Sequence, residues 1–129
     1  MRKGYVGLSL DFVHSAHIHL IEYAKKNSDH LILGVLSDKA ILSRKSLPLL
    51  TLEQRIELGK GLKGVDEVVT QNNWSYVENI LEYKPEKFFH GDDWIVSDPK
   101  LRSDVINALK TYGGELVELP YDKTVTSSL

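Results

Sequence analysis

The run Leu31-Ile-Leu-Gly-Val-Leu36 is the strongest constraint on what this chain can fold into. Successive side chains of a strand point to opposite faces, so a continuous apolar run reads as a strand buried on both. Such strands belong to parallel sheets covered by helices on either side. The flanking sequence supplies the alternation this requires. Gly4 to Leu10 reads as a short apolar strand with glycines. Ala16 to Lys26 places Ile18, Leu20, Ile21 and Ala24 at helical spacing and ends in a Lys25-Lys26 turn that suits the helix dipole.

After the central run, Asp38 is expected to cap a short helical turn through Leu42. Ser43 to Leu50 reads as a loop held open by Pro48. Thr51-Leu-Glu-Gln54 has capping-box spacing and opens a helix that Gly61 and Gly64 stop. Glu67 to Thr70 is the third strand. Ser75-Tyr-Val-Glu78 is read as a second capping box, opening a helix to about Tyr83 that Pro85 ends. Lys87 to His90 is the fourth strand. Asp98-Pro99 starts a helix with proline at its first position, and Gly113-Gly114 ends it after Tyr112. Glu115 to Leu119 is the fifth strand, closed by Pro120. Five strands alternating with helices give an α/β fold with a parallel sheet and right-handed crossovers. Ligands of such sheets bind beyond the carboxyl ends of the strands. The polar clusters fall there: Ser9 to His17, Ser37 to Lys45, Gly91 to Trp94, and the tail after Pro120.

Composition narrows the function classes. The chain has 129 residues, 42% hydrophobic and 26% charged, which suits one globular domain. A net charge of -2 gives no global field favouring nucleic acid or an anionic membrane. With no cysteine, a disulfide scaffold, a thiolate metal site and a cysteine nucleophile are excluded. No apolar run approaches the roughly 18 residues of a membrane span, so the cytoplasm is the expected compartment. Three of the five histidines, His14, His17 and His19, fall within six residues.

That cluster bridges the first strand and first helix, in Ser9-Leu-Asp-Phe-Val-His14-Ser-Ala-His17. A helix starting near Ser15 puts His14 and His17 beside an end with positive partial charge and unsatisfied N–H groups. Together they suit an anion, most simply a phosphate. A His-x-x-His pair also suits a metal, with Asp11 as the obvious third ligand, or plain capping and packing. His19 is expected on another, exposed face.

The order strand, then Asp11-x-x-His14-x-x-His17 at a helix start, resembles the nucleotidyltransferase superfamily with the HxGH signature. Ala16 stands where that signature has glycine. The resemblance implies that both histidines contact a triphosphate. Gly91-Asp92-Asp93-Trp94 follows strand four, and a carboxylate there can accept from a cytosine amino group while an aromatic covers the base or lines its pocket. His90-Gly-Asp-Asp-Trp94 resembles the cytidylyltransferase branch, including the glycerol-3-phosphate enzymes. Arg44-Lys45 lies in the loop before the Thr51 helix, and Leu36-Ser-Asp-Lys-Ala-Ile41, Leu47-Pro-Leu-Leu-Thr51, Glu53-Gln-Arg55, Gly64-Val-Asp66 and Gly113 to Tyr121 are most similar to cytidylyltransferases associated with, or fused to, phosphoenolpyruvate mutase in phosphonate biosynthesis. The tail Lys123-Thr-Val-Thr-Ser-Ser-Leu129 resembles the family's Gly-Ile-Ser-Ser-Thr stretch, with Thr124 in place of its glycine.

These resemblances imply a Rossmann-like three-layer sandwich with strand order 3-2-1-4-5. They imply CMP transfer from CTP to a small phosphonate, such as 2-hydroxyethylphosphonate or 2-aminoethylphosphonate, or to a phosphate monoester. His14, His17 and Lys45 are the expected catalytic residues. Ser9, Leu10, Asp11, Gly91, Asp92, Asp93, Trp94, Thr126, Ser127 and Ser128 are expected around the nucleotide, and Lys45 and Arg55 at phosphates or acceptor. Magnesium would bridge the nucleotide phosphates without a dedicated protein site. A homodimer, and a mutase domain fused or encoded downstream of a trimmed domain, follow from the same likeness. An ATP-dependent adenylyltransferase and a non-catalytic nucleotide-binding module are the competing readings.

Overall fold

The computed structural model describes residues 2–120 except 12, 14, 45 and 47. In chain order the elements are β1 (Lys3–Leu8), α1 (Ser15–Lys26), β2 (His30–Leu36), α2 (Asp38–Leu42), α3 (Leu52–Lys60), β3 (Glu67–Gln71), α4 (Val77–Tyr83), β4 (Lys87–Gly91), α5 (Trp94–Ser97), α6 (Pro99–Lys110) and β5 (Glu115–Leu119). The five strands form one sheet in the order β3-β2-β1-β4-β5. Every pairing is parallel. The expected Rossmann-like architecture and strand order are those of the molecule.

The apolar run does what its pattern demands. Alternate residues of each central strand enter two separate cores. Tyr5, Ile32 and Phe88 pack on one face with Ile80, Val105 and Leu109 of α4 and α6. Val6, Leu31, Leu33 and Phe89 pack on the other with Ile21 and Ala24 of α1. Helices therefore cover both faces, and no helix among the described residues is long and apolar enough to cross a membrane.

Three local expectations change. The Thr51 capping box forms in full, with reciprocal bonds between Thr51 and Gln54. The second does not: α4 starts at Val77 after Tyr76, which makes no side-chain cap. Glu78 instead accepts from Asn73 Nδ2 at 2.6 Å. Asp38 is not the cap of α2 either. Ser37 is, accepting from Ala40 N–H at 3.2 Å, which frees the Asp38 carboxylate for a long-range partner described below. Finally, β1 stops at Leu8, not Leu10. Leu10 adopts φ 58°, a left-handed conformation that costs a non-glycine residue roughly 1–3 kcal/mol. Its side chain, 1% exposed, is anchored in the α1 core.

Candidate active site

The site originates in an incomplete pairing. β1 and β2 pair over six residues, Lys3 to Leu8. β1 and β4 pair only at Gly4–Lys87 and Tyr5–Phe88. Beyond those residues the two strands separate, at the point where the strand order reverses, and a crevice opens at their carboxyl ends. It is a cavity of about 590 Å³, within the range of small-molecule sites. Gly7 and Leu8 line it from β1 and Ser9 from just beyond, His90 and Gly91 from β4, and Leu119 and Pro120 from the end of β5.

Among the expected site residues, Ser9, His17, Gly91, Asp93 and Trp94 meet in this cavity. His17 is in the first turn of α1, which carries no acidic side chain to offset the dipole. His14, Lys45, Thr126, Ser127 and Ser128 lie outside the described residues. Leu10, Asp11, Asp92 and Arg55 are not among the lining residues. His19 is exposed, as expected, but sits at the cavity's edge.

Arg55 requires a correction. It was expected at an anion, yet its side chain is fully buried. Its Nη1 donates to the main-chain oxygens of Ser9 at 2.8 Å and Leu36 at 2.5 Å. Its Nε donates to Leu50 O at 3.3 Å and its Nη2 to Asp38 at 2.6 Å. All three guanidinium nitrogens serve the protein itself. Asp11 is likewise engaged: its Oδ1 accepts from Leu49 N–H at 2.7 Å and Leu50 N–H at 3.4 Å. Both residues hold the loops after β1 and before α3 in place behind the cavity. Asp92 closes the sheet end, its N–H donating to Leu119 O at 2.9 Å.

Trp94 is 2% exposed, so it is a wall of the cavity rather than a lid over it. His90 stacks on it with centroids 3.6 Å apart and planes 11° from parallel. His90 Nδ1 lies 2.7 Å from the Gly91 carbonyl. A carbonyl only accepts, so the proton belongs on Nδ1 and Nε2 accepts from the Tyr76 hydroxyl at 3.4 Å. Burial lowers the His90 pKa, which keeps this ring neutral. The Tyr76 ring reaches the site because Gly7 has no side chain: a Cβ there would lie 2.5 Å from Tyr76 Cε1.

Several residues at this site were not expected there. Arg44 lines the cavity, pairs with Asp98 at 3.6 Å and holds its guanidinium 5.9 Å from the Trp74 ring centre. Trp74, Tyr76, His90 and Asp98 complete the wall. His90 opens the His90-Gly-Asp-Asp-Trp94 motif and Arg44 precedes Lys45, whereas Trp74, Tyr76 and Asp98 carried no functional signal in the sequence. Among the described residues no group of three or more His, Asp or Glu is placed to hold a metal ion.

The fold has counterparts in known proteins. The cytidylyltransferase-like family model matches residues 5–127, and the chain belongs to that family. Glycerol-3-phosphate cytidylyltransferase of Bacillus subtilis is 30% identical over 95 residues, which are 73% of this chain and 74% of that enzyme. Ethanolamine-phosphate cytidylyltransferase of Arabidopsis thaliana is 31% identical over 94 residues, 69% of this chain, and the match spans only 22% of that enzyme. FAD synthase of Pyrococcus horikoshii is 30% identical over 132 aligned positions, covering 96% of this chain and 86% of the synthase. The relatives are nucleotidyltransferases by name. The fold is shared with a lipopolysaccharide core biosynthesis protein from Thermoplasma volcanium, at TM-score 0.79 and 22% identity over 95% of this chain and 98% of that one.

Proposed function

We propose that the chain transfers CMP from CTP to a small phosphate monoester or phosphonate and releases pyrophosphate. One observation carries this reading. The crevice beyond β1 and β4 joins the His17 turn of α1 to Gly91, Asp93 and Trp94 within a single cavity. Phosphates would lie toward α1, where the helix end and imidazole favour anions. The base would lie toward Asp93, whose carboxylate can accept from an exocyclic amino group.

The acceptor oxygen is already anionic near neutral pH, so no general base is needed. It attacks the α-phosphorus in line, the bond to the bridging oxygen breaks, and that oxygen leaves with pyrophosphate. The protein's work is alignment and charge stabilisation. His17 faces the charge that develops at the α-phosphate, and Ser9 donates to phosphate oxygens. His14, Lys45, Thr126, Ser127 and Ser128 belong to the same phosphate set on their sequence positions. Magnesium would be held through the nucleotide's own oxygens, and no step here depends on it.

The match to FAD synthase across 96% of the chain favours a second reading, adenylyl transfer from ATP. Thermal shift with each nucleotide separates the two: greater stabilisation by CTP supports cytidylyl transfer, and greater stabilisation by ATP reverses the base assignment. The acceptor is then identified by pyrophosphate release with 2-hydroxyethylphosphonate, 2-aminoethylphosphonate, glycerol 3-phosphate and ethanolamine phosphate. Nucleotide binding with no release on any of them would favour a non-catalytic module.

A further inference from the structure

Glu118 lies on β5 and does not line the cavity, yet it controls a wall of it. Its Oε2 accepts from Trp94 Nε1 at 2.6 Å and from Arg102 Nε at 2.9 Å. Its Oε1 accepts from Arg102 Nη2 at 2.9 Å, completing a bidentate pair between β5 and α6. Stacking alone would let the indole slide and rotate in its own plane. The Phe88 and His90 rings lie within 15° of parallel to it and set that plane, and the Tyr76 ring meets it at 70°. The N–H bond to Glu118 is the directional restraint on rotation within that plane, and the Arg102 fork holds Glu118.

We infer that Glu118, clamped by Arg102, is a positioning residue for nucleotide binding: it holds Trp94, and through the 3.6 Å stack His90, in the orientation that shapes the base side of the cavity. Arg102 also compensates the Glu118 carboxylate, so this pair adds no net charge behind the wall. This inference rests on the nucleotidyl-transfer reading above. Nothing in it requires Glu118 to touch the substrate.

The test pairs affinity with a spectroscopic signature, using Glu118→Ala, Glu118→Gln and Arg102→Ala in the full chain. The protein has two tryptophans, so its indole N–H region holds two resonances, assigned with Trp74→Phe. Glu118→Ala should move the Trp94 signal and raise the Kd for the preferred nucleotide about tenfold, with kcat at saturation within about twofold of wild type. Glu118→Gln keeps an acceptor for the indole and should recover most of the affinity. Arg102→Ala should give a smaller loss, and serves if Glu118→Ala does not fold. A lowered melting temperature with unchanged Kd, measured where the variants are folded, would overturn the inference and leave nucleotidyl transfer standing. Wild-type protein that binds neither CTP nor ATP would overturn both.

Discussion

Arg55 and Asp38 form an ion pair at 2.6 Å in which the arginine is wholly buried and the carboxylate half exposed. With its bonds to Ser9, Leu36 and Leu50, Arg55 joins the ends of β1 and β2 to the start of α3. It is a tie beneath the cavity floor. Lysine cannot span these acceptors, since its donors radiate from one nitrogen. Arg55→Lys should therefore lower unfolding free energy by about 3 kcal/mol, from carbonyls left without donors. Asp38→Asn should lose only about 1 kcal/mol or less, as its group is solvated. Urea denaturation measures both. An Arg55→Lys protein of wild-type stability that had lost only nucleotide affinity would restore Arg55 to the anion site.

Gly34 makes room for the Tyr5 hydroxyl on the α4 and α6 side of the sheet. A Cβ at Gly34 would lie 1.8 Å from Tyr5 Oη. That hydroxyl donates to Gln71 at 2.6 Å and accepts from Asn79 at 3.0 Å. Gly34→Ala should cost about 3 kcal/mol by overpacking, and Tyr5→Phe about 1–2 kcal/mol by stranding its partners. Because the hydroxyl is part of the clash, the double variant should be more stable than the sum of the two losses. A double-mutant cycle measures this coupling, and strict additivity would contradict the packing described.

Two groups at the cavity wall should shape stability in acid. Burial holds His90 below its ordinary 6.5, against opposing pulls from the Gly91 carbonyl, Asp93 and Glu118. Its contribution is complete above pH 6.5 and is lost as pH falls from there through the folded pKa, because the unfolded chain takes up the proton first. Arg102 holds Glu118 below its ordinary 4.5, with help from the Trp94 indole. That contribution is complete above pH 4.5 and is lost as pH falls through the folded value. His90→Gln should flatten the upper part of the acid limb, and Glu118→Gln the lower part. Denaturation midpoints across this pH range test both; an unchanged slope in either variant would contradict its assignment.

His17 should matter to turnover far more than to folding. It lines the cavity from the first turn of α1 and belongs to neither large apolar core. His17→Ala should lower kcat by about a hundredfold or more and leave the melting temperature close to wild type. Steady-state kinetics beside a thermal melt provide the check, and near-normal turnover would remove His17 from the mechanism.

The fold was legible because it rests on local patterns. The apolar run of β2, the Thr51 box and the Asp98-Pro99 start each carry their signal within a few residues. The crevice was legible as a place, since parallel strands put it at their carboxyl ends. The roles of Arg55, Asp38 and Trp94 were not. Arg55 reads as a phosphate or acceptor ligand until Ser9, Leu36 and Leu50 converge on it from three segments. Trp94 follows two aspartates and reads as either a cover for a base or a lining of its pocket, and the partner of its indole N–H, Glu118, lies 24 residues away. Asp38 seemed a cap because the equally competent Ser37 beside it could not be ranked without the Arg55 contact.

The most direct test of the proposed activity is phosphorus NMR of wild-type protein incubated with CTP and magnesium, with each acceptor in turn. With one acceptor the CTP resonances should decline while pyrophosphate and a new CMP-linked phosphoanhydride grow together in equal amounts. ATP in place of CTP should give little or no product. Consumption of ATP in preference to CTP, or intact CTP with every acceptor, would contradict the proposed activity.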